Sequence, residues 1–296
     1  MRVESALEAL EGRPGPGSVA HKINRETVLL LGWGRAILLQ LAHPLVAAGV
    51  AQHSLFFRHP RGRVRRLRHT LQAMLDLTFG TPEEVLRAAQ GINAIHDRVK
   101  GALPAADGPF PAGQRYSAHD PALLRWVHAT LLDSLPLVYE LYVGPLTAPE
   151  RDAYCAEASG IEPLLGLPAG SLPRDTAALR RYMDGMYAGG QIAVGDTARR
   201  LARGLLAPPI APALAAHLPG LGPLTSLLHL PTVGLLPPRV REAYGLSWGP
   251  HRETLLHASA AAVRGLLRSS PPALRHWAPA RREQAHTPTR MPAGGL

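Results

Sequence analysis

Apolar residues recur at helical spacing along most of this chain. Val85, Ala89, Ile92 and Val99, together with His96, share one stripe of a single predicted helix. Leucine and alanine dominate the apolar content, β-branched residues are few, and proline and glycine fall mostly between the apolar runs. No internal repeat and no alternation of strands with helices is visible in the sequence. The pattern favours an all-α fold.

Capping signals set the boundaries of several predicted helices. Thr81 precedes a proline and two glutamates, so a helix should begin there, run to about Lys100 and end at Gly101. The helix before it should span about Val64 to Phe79. His43-Pro44 should break an apolar segment into helices over 23–42 and 45–57. Further capping residues are expected at Asn24, Asp120, Thr147, Asp175 and Asp196.

The chain is long enough, at 296 residues, to bury a sizeable core. We expect a single large helical domain over residues 23–282. Residues 1–22 are rich in glycine and proline after a short helical piece, and they should form a loose N-terminal arm. The polar residues 283–296 should form a disordered tail.

Basic residues exceed acidic ones, 32 against 22, for a formal net charge of +10. Several arginines crowd residues 58–68, where an anionic partner could bind, although a solvated helix face explains the same run. The chain has no recognisable nucleic-acid-binding motif and few aromatic residues for base stacking. Nucleic acid is therefore not favoured as a partner, and peripheral contact with a membrane stays open.

We expect the protein to be cytoplasmic, with membrane association as the alternative. Cys155 is the single cysteine, and the first segment does not resemble a signal peptide. Val28 to Ala51 is nearly apolar and long enough to consider as a membrane span. Because Arg35 and Pro44 interrupt it, along with two glycines, we interpret it as two core helices.

The candidate chemistry lies on two consecutive predicted helices. Arg66 and Thr70 are four residues apart and share a helix face, and His96 lies on the apolar side of the next helix. An arginine and a hydroxyl that face a histidine are compatible with a haem, whose iron would take one imidazole. A hydrogen-bonded core histidine and a surface arginine explain the same residues. Other histidines in this half of the chain are His43, His53, His69 and His128.

Other site types fit the sequence less well. No Asp or Glu occurs from Thr27 to Met74, so a carboxylate-rich non-haem metal site lacks its acids there. The spacing of a zinc hydrolase, the Gly-x-Ser-x-Gly motif and phosphate loops are absent. Gly32-Trp33-Gly34-Arg35 is too short, and wrongly placed, for a dinucleotide fingerprint.

The segment Leu41 to Ser54, which reads LAHPLVAAGVAQHS, carries a family resemblance. It resembles a signature of the MpaB-type oxygenases and latex-clearing (rubber) oxygenases, and it is closer to the bacterial MpaB-like branch. The resemblance covers residues 24 to 282. Further similar stretches are Trp126–Leu131, Tyr154–Glu157, Leu179–Met183 and Arg241–Leu246.

The resemblance implies an all-α fold that encloses one b-type haem. His96 would be the proximal iron ligand, Arg66 would stabilise partial negative charge on dioxygen, and Thr70 would orient it. The implied reaction is oxidative cleavage of a lipophilic, isoprenoid-like alkene with dioxygen. The distal glutamate of rubber oxygenases is missing here, so that its role is unfilled or passes to His53 or Gln52. His69 stands where some members have a lysine that acts as a sixth ligand.

Three hypotheses follow. The first is a haem b oxygenase that acts on a lipophilic small molecule with dioxygen. The second is a haem-binding or sensor protein without turnover, with His69 as a second axial ligand. The third is a basic helical interaction protein without a cofactor. The sequence leaves the substrate and the oligomeric state open.

Overall fold

The computed structural model describes residue 10 and residues 12–53, 60–206 and 229–286, without the side chains of 60–67 and 284–286. The regular secondary structure of the described residues is helical apart from two short strands, which confirms the all-α prediction. The α-helices are α1 (Val19–Asn24), α2 (Leu30–Leu41), α3 (Pro44–His53), α4 (Pro60–Phe79), α5 (Pro82–His96), α6 (Pro121–Tyr142), α7 (Ala148–Ala158), α8 (Thr176–Ala188), α9 (Asp196–Leu205), α10 (Pro238–Ala243), α11 (Pro250–Ser269), α12 (Pro272–Arg275) and α13 (Ala278–His286).

Five smaller elements complete the described fold. Thr27–Leu29 and Ser159–Leu165 are 3₁₀ helices, and residues 229–234 are helical. Strands β1 (Lys100–Ala102) and β2 (Arg115–Ser117) form an antiparallel pair in which Gly101 lies opposite Tyr116. This hairpin was not predicted, because strands of three residues are too short to show alternation.

Helix α6 is the centre of the main core. Its buried side chains include Trp126, Ala129 and Val138, and α2 packs along it with Leu38 and Leu39 fully buried. Gly32 of α2 lies at this contact, where an added Cβ would come within 2.7 Å of Val138 Cγ2 on α6. Gly34 lies instead against Thr232, in the helical residues 229–234. The close packing of α2 therefore depends on the absence of a side chain at these glycines.

Helices α4 and α5 form a helical hairpin with a short connection at Gly80-Thr81. The predicted start of α5 is confirmed: the Thr81 hydroxyl accepts from the Glu84 N–H, and the Glu84 carboxylate accepts from the Thr81 N–H. The hairpin is held by a second core cluster, made of Leu77, Val85, Ala89, Leu164 and Leu165.

The predicted end of α5 at Lys100 is wrong, because α5 ends at His96 with Asp97 as its C-terminal cap. Lys100 instead lies opposite Ser117 in the β1–β2 pair, and the Ala118 N–H donates to the Val99 carbonyl. Pairing with a segment further along the chain replaces the last helical turn. His96 therefore lies at a helix terminus rather than within a helix.

The predicted caps at Asp120, Thr147 and Asp175 are confirmed. The caps at Asn24 and Asp196 are wrong. Asn24 is the last residue of α1, and the predicted helix 23–42 is divided among α1, the first 3₁₀ helix and α2. Asp196 is the first residue of α9, whose cap position holds a glycine.

The predicted break at His43-Pro44 is confirmed, because α2 ends at Leu41 and α3 begins at Pro44. The end predicted for the following helix, at 57, lies outside the described residues. In the described part of the chain, no single helix is long and apolar enough to cross a membrane. The pair Thr27–Leu41 and Pro44–His53, bent by 108°, passes that test jointly by length and composition.

Both ends of the predicted domain differ in the structure. Residues 19–22, assigned above to the loose arm, lie in α1, where Ala20 and His21 are buried and Lys22 pairs with Glu150 at 2.6 Å. Helix α13 continues to residue 286, past the predicted start of the tail. Residues 287–296 lie outside the described part of the chain.

Candidate functional site

His96 is the last residue of α5 and is half-buried. Its Nδ1 atom is buried and has no hydrogen-bond partner. Burial lowers the pKa of His96, the neighbouring His119 lowers it further, and Asp97 opposes both effects. The direction of this shift favours the neutral imidazole, which is the form that binds a metal.

His119 packs edge-on against the His96 ring, with the ring centroids 5.8 Å apart. Its Nε2 atom lies 2.8 Å from the Asp97 carboxylate, which follows α5 directly. The Asp97–His119 pair is partly exposed, so its contribution to stability is small. The contact with Asp97 restrains the orientation of the His119 ring, which packs against His96.

His128 on α6 is the third histidine of this region. Burial lowers its pKa to about 4, and the unfavourable interaction between the protonated forms of His128 and His96 adds to the shift. Part of the His128 surface borders a cavity, so the ring is withdrawn from bulk water without being fully packed. His128 is therefore neutral at physiological pH.

The described residues contain no group of three or more His, Cys, Asp or Glu side chains that could hold a bare metal ion. A haem iron makes a smaller demand on the protein, since the porphyrin supplies four ligands and one imidazole can complete the attachment. The single neutral nitrogen donor at His96 therefore suits a haem better than a protein-ligated metal.

Arg66 and His96 lie at the same level of the α4–α5 hairpin. Arg66 is 14 residues before Gly80, and His96 is 15 residues after Thr81, so the two lie at similar distances along the helices from the connection. The side chain of Arg66 is outside the described set, and those of His69 and Thr70 are exposed on α4. The roles predicted for these three side chains remain predictions.

His53 is exposed at the end of α3 and lies beside the β1–β2 pair. The Tyr116 hydroxyl donates to Gln52 at 2.8 Å and lies 3.4 Å from His53 Nε2. The contacts described for His53 are thus with Tyr116, and β1 connects this pair to the end of α5. Its catalytic role remains a prediction.

A cavity of about 150 Å³ lies between α1, α2, α4, α6 and α7. Leucines from α4 and α6 line it together with Trp33 and His128, and Arg13 and Glu157 also contribute to the wall. An engineered apolar cavity of similar size in another protein stays dry and binds benzene. This space therefore suits a short hydrocarbon segment, and it is below the volume of about 300–1,000 Å³ typical of whole-ligand sites. A more polar cavity of about 620 Å³ lies between α3, residues 103–108 and the start of α9.

A family model described as "ER-bound oxygenase mpaB/B'/Rubber oxygenase, catalytic domain" matches residues 21–265. The chain belongs to this family. The match covers the α4–α5 hairpin, His96 and α6, and it confirms the resemblance stated from the sequence. No curated protein and no solved structure matches the chain.

The contact of the Asp97–His119 pair with His96 was not predicted from the sequence, where His128 was interpreted as an isolated residue. Asp97 and His119 are 22 positions apart, and the β1–β2 hairpin brings them together. No local spacing signals such a contact. Only the position of His96 on an apolar helix stripe was visible beforehand.

Proposed function

We propose that this chain is a haem b-dependent oxygenase that acts on a lipophilic, isoprenoid-like alkene with dioxygen. The observation that carries the proposal is the neutral imidazole of His96, with an unengaged buried nitrogen, in an oxygenase catalytic domain. When bound, the haem would supply the oxidative chemistry, which protein side chains lack.

The donor set fits such a cofactor. His96 would hold the iron, because its lowered pKa keeps the nitrogen lone pair free of a proton. His119 would restrain the orientation of the His96 ring through its edge-on contact. In the proposal, Arg66 brings a permanent positive charge to the reacting oxygen, and Thr70 orients it through its hydroxyl.

The apolar cavity would hold a segment of the substrate. Its lining is mostly apolar, and about 150 Å³ is enough for a short hydrocarbon segment rather than a whole long-chain molecule. His128 adds no positive charge to the wall at physiological pH, because its pKa is about 4. The environment therefore favours an uncharged alkene.

His96→Ala tests the cofactor assignment. The protein is expressed with a haem precursor and purified, and its absorption spectrum and pyridine haemochrome are recorded. We expect stoichiometric haem b in the wild type and its loss in His96→Ala, while Arg66→Ala keeps the haem and loses oxygen uptake with a polyprenyl alkene. His257→Ala, at an exposed histidine of α11, is the matched control. Full haem content in His96→Ala, or a colourless wild type that does not take up added hemin, would overturn the proposal.

A haem-binding protein without turnover is the second candidate. The exposure of His69, next to Thr70 on α4, favours it, because that imidazole is not used in packing. A six-coordinate low-spin spectrum that resists added ligands, and that His69→Ala converts to five-coordinate, would support this function over oxygenation.

A further inference from the structure

Helix α11 presents an apolar face to solvent. Leu255, Ala258, Ala262 and Leu266 follow at spacings of three and four residues, so they share one side of the helix, and each is exposed. The opposite side is packed, with Leu256 and Ala260 buried. We call the first set the outer face of α11.

The apolar surface continues around the turn after α11. Leu274 on α12 is 75% exposed and Leu266 is 67% exposed, the two highest values among the described large hydrophobic residues. Pro271 and Pro272, which form the turn between them, are also exposed. Large hydrophobic residues concentrated at one corner mark an interaction surface more strongly than the same residues scattered singly.

The chain segment that forms this surface carries only positive formal charge after Glu253, which pairs with His257 at the start of α11. No Asp or Glu occurs from Thr254 to Arg282, and the same stretch holds five arginines. Arg264 and Arg275 face inward, the first to the Leu141 carbonyl and the second to Glu26. Arg268 is exposed and lies between Leu266 and Leu274 in the sequence. An apolar face bordered by positive charge is complementary to an anionic lipid surface.

We propose that the outer face of α11, with the turn to α12, docks this protein onto an anionic membrane surface. The leucines enter the boundary between headgroups and acyl chains, and Arg268 contacts lipid phosphates. The helix lies in the plane of the interface, because its opposite side is part of the protein core. This surface is formed by other residues than the proposed haem site and does not depend on it.

Co-sedimentation with vesicles tests the proposal. The full-length wild type is mixed with neutral phosphatidylcholine vesicles and with vesicles that also contain phosphatidylglycerol. We expect stronger binding to the anionic vesicles, weakened by salt. Leu266→Ser/Leu274→Ser should lower the partition constant on the order of tenfold or more, since two large apolar side chains leave the interface. Both positions are exposed, so the variant should keep the wild-type Tm.

A matched pair of charge variants distinguishes docking by the outer face of α11 from general electrostatic attraction of the basic protein to anionic vesicles. Ala262→Glu on the outer face and Gln90→Glu on α5 each lower the net charge by one unit at an exposed helical position. Only Ala262→Glu should reduce binding strongly. Equal effects of the two variants, or no binding of the wild type to anionic vesicles, would overturn the proposal. A wild-type dimer that the double leucine variant converts to monomer would assign the face to a second copy of the chain instead.

Discussion

Replacing Gly34 by alanine tests the close approach of α2 to the helical residues 229–234. In an ordinary helix interior this change stabilises a protein by about 0.5–1 kcal/mol, because glycine has the poorer helix propensity. A Cβ at Gly34, however, would lie 2.9 Å from Cγ2 and 3.2 Å from Cβ of Thr232, and it would overlap the hydroxyl oxygen. Thr232 is 5% exposed, so it has little room to move away.

The gain in helix propensity and the cost of the overlap with Thr232 act in opposite directions. Rotation of the Thr232 side chain relieves the contacts of Cγ2 and the hydroxyl, but the 3.2 Å contact with Cβ remains. Overpacking of this kind costs about 1–3 kcal/mol, and at the upper half of that range it exceeds the gain in helix propensity. We expect Gly34→Ala to lower the free energy of unfolding by about 1–2 kcal/mol.

Gly91→Ala is the matched control, because Gly91 lies within α5 and a Cβ there would meet nothing within 4 Å. It should raise the free energy of unfolding by about 0.5–1 kcal/mol. Urea unfolding followed by far-UV circular dichroism measures both as shifts of the midpoint at constant slope. A midpoint for Gly34→Ala equal to or above that of the wild type would refute the packing argument.

Two further predictions concern a buried histidine and a helix cap. Burial lowers the pKa of His43 from 6.5 to about 4, so between these values the unfolded chain binds a proton that the folded chain does not. Stability should therefore fall by up to about 3 kcal/mol as the pH is lowered through that window. His43→Gln should flatten the decline in chemical unfolding, and an unchanged pH dependence would contradict the assignment. The Thr147 hydroxyl accepts from the Glu150 N–H, so Thr147→Ala should cost about 1 kcal/mol while Thr147→Ser retains most of the stability. Equal stability of the two variants would refute the role of the cap.

Local signals predicted the helix starts well. The caps at Thr81, Asp120 and Thr147 each involve residues two or three positions apart, so the information lies within one turn of the chain. The end of α5 depends instead on the pairing of Lys100 with Ser117, and no residue near His96 indicates that the helix ends there. Where a boundary depends on a distant partner, the local pattern simply continued the helix.

The sequence by itself determined the all-α class, the family signature, and the succession of Arg66, Thr70 and His96 on neighbouring helices. The tertiary structure alone decided that His119 packs against His96 and that the pKa values of His96 and His128 are lowered. The reason is physical. Helix type and caps follow from neighbours along the chain, whereas desolvation and ring packing depend on which distant segments surround a side chain.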